Sequence, residues 1–247
     1  MTNNGKTLAL ITGANKGLGF ETARRLGELG WTIFLGSRDE GRGRAAAGKL
    51  AAGGVDVVVV PLDVTSDASV AGALRLVREH TDRLDVLVNN AGAPGRGVHP
   101  ADATAEELHS VYDTNVYGPV RVTQAFLPLL RAADNPRVVM VSSAVGSFGV
   151  QTDPAQPTAK MHELAYSSSK TALNMITIRY AQAFPEIKFN ALTPGEVANH
   201  KFAATDMNNH RGQLTAAEGS DPIVKLATLG ADGPTATFID RLGPVAW

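Results

Sequence analysis

The sequence has no cysteine, which excludes a disulfide framework, a zinc–thiolate centre and a thiol nucleophile. No apolar run approaches the roughly 20 residues that span a bilayer. The first such run, from Leu8 to Ile11, is too short for a signal-peptide core and leads straight into Thr12-Gly13. An excess of charge is also missing: 23 Lys and Arg stand against 24 Asp and Glu, a net charge of −1. That balance argues against a nucleic-acid or polyanion partner. The six His are scattered, with no H-x-x-x-H or His–carboxylate cluster, so a catalytic metal is not expected. Internal repeats, charge blocks and Pro/Ser-rich linkers are absent too. What is there is globular: 247 residues, 44% apolar and 19% charged. Sheets of this size often form one α/β unit, so a single domain over 1–247 is expected, soluble, cytoplasmic and without a membrane partner.

Short β-rich runs recur at 8–12, 32–37, 55–62, 86–89, 138–142, 188–192 and 237–239. Several are continuously apolar, such as Val57-Val58-Val59-Val60, which suits strands covered on both faces. Between the first two, Leu18, Ala23, Leu26 and Leu29 recur at helical spacing, and Gly30 stands where that helix should stop. Thr104 with Glu107 three residues on is a capping-box start for a long helix to about Leu130. Helices between strands on this schedule imply right-handed crossovers and a parallel, doubly wound sheet. Two stretches, 146–158 and 196–214, lack periodicity. Long loops of that kind tend to be functional or mobile.

The first strand runs into Thr12-Gly13-Ala14-Asn15-Lys16-Gly17-Leu18-Gly19, and a helix follows. Glycines here permit a tight turn and let backbone N–H groups approach a pyrophosphate at the helix N-terminus. The spacing is G-x-x-x-G-x-G. It is neither G-x-G-x-x-G nor a Walker loop. Further on, Tyr166 and Lys170 lie four apart on a helix that Pro185 should end, which puts both on one face. A free phenol titrates near 10; an ammonium a few ångströms away should favour the phenolate and bring it toward the neutral range. Asn115 stands four residues before Pro119, so its carbonyl loses its helical partner, the helix should kink, and the free carbonyl can hold a water.

Behind the glycine turn stand Asn89-Asn90-Ala91-Gly92, Ser143, Tyr166-Ser-Ser-Ser-Lys170 and Pro194-Gly195. Together these resemble the short-chain dehydrogenase/reductase family over nearly the whole chain. Ala14-Asn15-Lys16-Gly17 and Ser37-Arg38-Asp39 are most similar to its carbonyl-reductase branch. The resemblance implies a Rossmann-type sheet of seven strands in the order 3-2-1-4-5-6-7, with ligands at the strands' carboxyl ends. It implies that Tyr166 is the acid–base group, that Ser143 rather than Ser142 holds the substrate oxygen, and that Lys170 tunes Tyr166 and binds the cofactor ribose. Asn115 would link Lys170 to solvent through a water. The cofactor-binding set is then Gly13, Asn15, Lys16, Gly17, Leu18, Gly19, Ser37, Arg38, Asp63, Val64, Asn90, Ala91, Gly92, Pro194, Gly195 and Val197, with Tyr166 and Lys170. Asn199 departs from the family, where a Thr often stands. Substrate contacts fall on Ala144, Phe148, Phe202 and Met207, under a lid at about 196–214.

The end of the second strand bears on cofactor choice. An NAD enzyme usually presents an acid there to the ribose 2′-hydroxyl; this chain has Ser37, then Arg38, with Lys16 across the turn. A guanidinium suits a 2′-phosphate, so NADP(H) is expected over NAD(H). Asp39 and Glu40 lie past the expected strand end. The function expected is reversible reduction of a small ketone or aldehyde. Two other readings stand beside it. A 3-oxoacyl-thioester reductase is disfavoured by the 23 positions between Ser143 and Tyr166, a longer gap than in many relatives. A nicotinamide-sensing regulator without catalysis is disfavoured because Tyr166, Lys170, Ser143 and Asn115 are all retained. The family resemblance further implies pairing through the Asn115 and Tyr166 helices, so a homo-oligomer is expected.

Overall fold

The computed structural model describes residues 5–247; residues 1–4, the start of the expected single unit, lie outside the described residues. The chain runs β1 (Leu8–Ile11), α1 (Gly17–Glu28), β2 (Thr32–Ser37), α2 (Glu40–Ala52), β3 (Asp56–Pro61), α3 (Asp67–His80) and β4 (Val86–Asn89). It continues through α4 (Ala105–Tyr112), a π-helical turn (Asp113–Tyr117), α5 (Gly118–Arg131), β5 (Arg137–Val141), α6 (Phe148–Gln151), α7 (Ala165–Ala183) and β6 (Lys188–Leu192). A two-stranded hairpin, β7 (Gly195–Glu196) with β8 (Lys201–Phe202), precedes α8 (Ala216–Ala227) and β9 (Phe238–Ile239). The main sheet has seven parallel strands in the order β3-β2-β1-β4-β5-β6-β9. This is the expected order; the last strand is ninth in the chain because the hairpin intervenes.

Alternation along the strands explains why both faces need helices. Leu8 and Leu10 of β1 join Val122, Phe126 and Leu130 of α5 and Leu173 of α7 on one face. Ala9 and Ile11 join Ala23 and Leu26 of α1 and Ile223 and Leu226 of α8 on the other. The apolar run 57–60 divides in the same way: Val58 and Val60 pack on the first face, Val57 and Val59 on the second.

The long helix expected from Thr104 is three pieces. Thr104 accepts from the Glu107 N–H at 3.2 Å, but the Glu107 carboxylate takes the Arg96 N–H at 2.9 Å instead of completing the box. At Pro119 the chain widens by one π turn, in which the Gly118 N–H reaches the Asp113 carbonyl. No helix of the described residues is long and apolar enough to cross a membrane.

The strand order reverses between β1 and β4, and Thr12 ties the two strand ends together. Its buried hydroxyl accepts the N–H groups of Asn90 and Ala91, both at 2.9 Å, while the Asn90 amide donates to the Thr12 carbonyl at 2.8 Å. Thr12→Val keeps the shape and deletes the acceptor, leaving the Ala91 N–H short of a partner and the Asn90 N–H with the Val88 carbonyl alone, at 3.1 Å. Urea unfolding should show a loss of about 1–3 kcal/mol, largely restored in Thr12→Ser.

Candidate active site

The site forms where β1, β4 and β5 end. In the glycine turn Gly13 and Gly17 have φ of +63° and +55°, a region that favours glycine. A Cβ on Gly19 would fall 2.5 Å from the Asn90 amide nitrogen and 2.7 Å from the Gly13 carbonyl. The helix can therefore start hard against the β4 loop only with glycine there. No side chain caps α1, whose N-cap is Lys16, and a Cβ on Gly17 would meet nothing within 4 Å. That is an open cradle of the kind that admits a pyrophosphate. Asn15 and Lys16 border a groove of about 450 Å³ shared with Phe20, Arg42, Lys49 and Asp206. Leu18 instead packs inward, and a Cβ on Gly219 of α8 would lie 2.8 Å from it.

Ser37 is fully buried, and its hydroxyl donates to the Asp39 carbonyl at 2.7 Å, so it is engaged with its own chain. Asp39 caps α2 through the Arg42 N–H at 2.8 Å, and Glu40 pairs with Arg44 at 2.9 Å. Both carboxylates that compete with the NADP(H) expectation are thus engaged within α2. Arg38 is exposed. Burial opposes ionisation of Asp63, but the Thr65 N–H and hydroxyl, with Arg38 and Arg121 nearby, hold its carboxyl below the usual range. Val64 packs on Gly118, where a Cβ would approach it to 2.8 Å.

Tyr166, Lys170 and Ser143 meet where α7 crosses the end of β5. A Cβ on Gly146 would fall 2.6 Å from the Lys170 carbonyl carbon, so the helix rides directly on the turn after the strand. Ser142 and Ser143 are separated by this packing. The Ser142 hydroxyl donates to Asn174 at 2.6 Å, and the Asn174 amide donates to the Gly146 carbonyl at 3.1 Å. Ser143 begins the next turn without capping it, and its hydroxyl faces the Tyr166 phenol. The Lys170 ammonium lies 5.5 Å from the Tyr166 ring centre and donates to the Val141 carbonyl at 2.8 Å.

The shared helix face is as expected, but the electrostatics differ. Burial pushes Tyr166 up to about 12, Ser143 pulls it down, and the Glu163 charge pushes it further up. Burial lowers Lys170 to about 8. Burial leads both shifts, and it opposes the charged form of each group.

Asn115 is fully buried on the π turn. Its side chain accepts the Ala93 N–H at 2.8 Å and donates to the Ala93 carbonyl at 2.9 Å and to Ser169 at 3.0 Å. A Cβ on Gly92 would sit 3.4 Å from the Asn115 carboxamide oxygen, 3.8 Å from the Lys170 ammonium and 3.4 Å from the Met207 methyl. Gly92, Asn115, Lys170 and Met207 therefore share one point.

The segment 196–214 makes more contacts with the rest of the chain than its polarity suggests. Gly195 needs to be glycine because a Cβ would fall 2.5 Å from the Lys201 carbonyl, and the Pro194 carbonyl accepts the Ala203 N–H at 3.0 Å. Val197 donates its N–H to Asp240 at 2.7 Å, and buried Glu196 binds Arg241 at 2.6 Å. Asn199 gives its amide to Glu196 at 2.8 Å. A second tie, Lys16 to Asp206 at 2.6 Å, pins the segment to the glycine turn. Of the four substrate candidates, Met207 reaches the site and Ala144 opens the turn after Ser143. Phe148, 70% exposed, and Phe202, 44% exposed, stand outward on their elements.

The sequence reading missed Thr12, Asn174 and Glu163. Asn174 had a signal, since Tyr166, Lys170 and Asn174 continue one series at four-residue spacing. Lys170 gives a direct stability test. Its pKa is about 8 in the folded chain against 10.5 for the free group, so the unfolded chain binds more protons between those values and stability should rise with pH there. In Lys170→Met that contribution, on the order of 3 kcal/mol, should vanish from the unfolding free energy measured from pH 8 to 10.5.

The family model for short chain dehydrogenases matches residues 7–211. A short-chain dehydrogenase of Penicillium roqueforti, anuI, is 36% identical over 92% of this chain and 90% of its own length. The (−)-isopiperitenone reductase of Mentha piperita is 33% identical over 94% and 96%. The solved structure of an NADPH-bound carbonyl reductase from chicken fatty liver matches with a TM-score of 0.84 at 29% identity, covering 98% of this chain and 99% of that one. With the parallel sheet and the grouped Ser, Tyr, Lys and Asn, these matches mean that the chain belongs to the short-chain dehydrogenase/reductase family.

Proposed function

We propose that the chain is one dinucleotide-binding and catalytic unit that reduces a small ketone or aldehyde with NADPH, reversibly. The observation carrying this reading is the convergence of Ser143, Tyr166 and Lys170 at the end of β5, with Asn115 facing Lys170 across Gly92. Relatives named for isopiperitenone reduction and carbonyl reduction support a small carbonyl substrate. The uncapped helix, the open space at Gly17 and the left-handed glycines fit a dinucleotide pyrophosphate. When bound, NADPH supplies the hydride.

The chain's own residues do the rest. Tyr166, protonated up to about pH 12, donates its hydroxyl proton to the carbonyl oxygen. Ser143 donates a hydrogen bond to the same oxygen and steadies its developing charge. Lys170, an ammonium below about pH 8, would hold the ribose hydroxyls when the dinucleotide is bound. The Asn115 carboxamide fixes Ala93 and Ser169 around Gly92, and its carbonyl, denied a partner by Pro119, holds the water that returns the proton. The segment at about 196–214 acts as a lid, with Met207 over the site and the Asp206–Lys16 pair as its fastening.

NADPH consumption over a panel of ketones and aldehydes tests the reading. Tyr166→Phe keeps the ring and removes the proton, so turnover should fall by about 10²–10⁴-fold while cofactor binding survives. Near-native turnover in that variant would refute the mechanism.

Arg38 and Lys16 carry the cofactor preference, supported by the engagement of Asp39 and Glu40 elsewhere. One charge-assisted contact to a 2′-phosphate is worth about 1.5–3 kcal/mol, so NADPH should be preferred by roughly tenfold or more. Arg38→Leu with Ser37→Asp should move the preference toward NADH. Equal use of the two cofactors by the native chain would count against this assignment.

A further inference from the structure

Glu163 lies three residues before Tyr166, at the start of α7. The N-cap residue of that helix, Leu164, offers no side-chain cap, and the Tyr166 N–H faces the Glu163 carboxylate instead. The other neighbours of this carboxylate do not neutralise it. Its Oε1 is buried without a hydrogen-bond partner among the described residues. Glu107 of α4 converges on the same spot: a Cβ on Gly95 would lie 3.3 Å from Glu163 Oε1 and 3.6 Å from Glu107 Oε1. Gly95, at φ +74°, is thus glycine for two reasons. Arg96 serves Glu107 alone, through its N–H at 2.9 Å and its guanidinium at 3.3 Å. On the remaining side, His162 adjoins Glu163 in the chain and packs its ring against His99 at 5.9 Å. Lys170 is turned away toward the Val141 carbonyl.

We propose that Glu163 is a positioning residue for the proton donor: its carboxylate at the head of α7, with one oxygen unpartnered, keeps the Tyr166 hydroxyl protonated, and so sets the pH at which alcohol oxidation gains rate. Two observations converge on it. The geometry brings an unneutralised carboxylate against the first turn of the helix that presents the phenol. The direction of its effect is also the right one, since its charge adds to burial in raising Tyr166, against Ser143. Burial raises the Glu163 carboxyl, the Tyr166 N–H lowers it, and the Glu107 charge, itself paired with Arg96, raises it further. The inference rests on Tyr166 being the acid–base group.

The test uses two uncharged variants of different shape: Glu163→Gln, which keeps the volume, and Glu163→Ser, which keeps a helix-capping oxygen. Oxidation of a secondary alcohol requires the phenolate, so its rate rises with pH through the Tyr166 titration. Loss of a like charge should move that rise to lower pH by about one pH unit in both variants, and Glu163→Asp should keep the native profile. The ultraviolet phenolate signal of Tyr166, isolated by subtracting Tyr166→Phe, should shift in the same direction. A purely structural role would lower the unfolding midpoint and leave both profiles in place. An unmoved profile in either folded uncharged variant, with Tyr166→Phe inactive, overturns the role of Glu163. An active Tyr166→Phe overturns the proposed function, and this inference with it.

Discussion

The close seating of α7 on the end of β5 is the constraint from which the site follows. The helix backbone at Lys170 lies against Gly146, where a single methyl group would fall 2.6 Å from it. At that distance Lys170 can send its ammonium under the helix to the Val141 carbonyl at 2.8 Å. Tyr166, one turn earlier, arrives beside Ser143. Burying these two groups is unfavourable, because each loses water in its charged form. The cost is offset by the core below, where Leu173 and Ala181 of α7 pack with Phe189, and by the Ser142–Asn174–Gly146 hydrogen bonds. One contact therefore fixes the two protonation states and the distance between them.

The other wall depends on a second close approach of the same kind. Thr12 and Asn90 bind the end of β1 to the loop after β4, across the place where the strand order reverses. A crevice opens at such a reversal because neighbouring connections leave in opposite directions. Gly19 lets α1 begin against Asn90, and the π turn at Asp113–Tyr117 carries Asn115 in from α4 to hold Ala93. The Asp206–Lys16 pair closes the same crevice from outside. Any ligand drawing on Lys16 must compete with that carboxylate, which couples the segment 196–214 to the glycine turn.

Features with a strong local signal were legible in the sequence, and features decided by long-range packing were not. Apolar strand runs and the helix stop at Gly30 depend on neighbours in the chain, and β2, β4 and β6 fall where those runs place them. The choice of Ser143 over Ser142 came from family resemblance; that the Ser142 hydroxyl is engaged with Asn174, 32 positions away, was not legible in the sequence. The capping box at Thr104 failed in half because Arg96, from another loop, took the Glu107 carboxylate. Pro119 correctly marked a disturbance, but the π turn that answers it was not legible in the sequence. Glu163 was invisible because an unpaired buried oxygen is a property of three segments at once.

The expectation that Lys170 would draw Tyr166 toward neutrality met the opposite balance, in which burial leads. The Lys170 ammonium lies 5.5 Å from the centre of the Tyr166 ring. Burial acts on both partners, pushing the phenol up and the amine down, and the ammonium has already turned to a carbonyl. The pair thus rests with the proton on oxygen, Tyr166 near 12 and Lys170 near 8. As pH rises, the amine gives up its proton before the phenol does. Through the neutral range the site therefore presents a neutral donor beside a cation, which suits giving a proton to a developing alkoxide. The reverse reaction needs the phenolate, and only a further positive charge or the loss of a negative one near the phenol makes that accessible. Under the proposed mechanism, the charges around this one hydroxyl set the pH at which each direction gains rate.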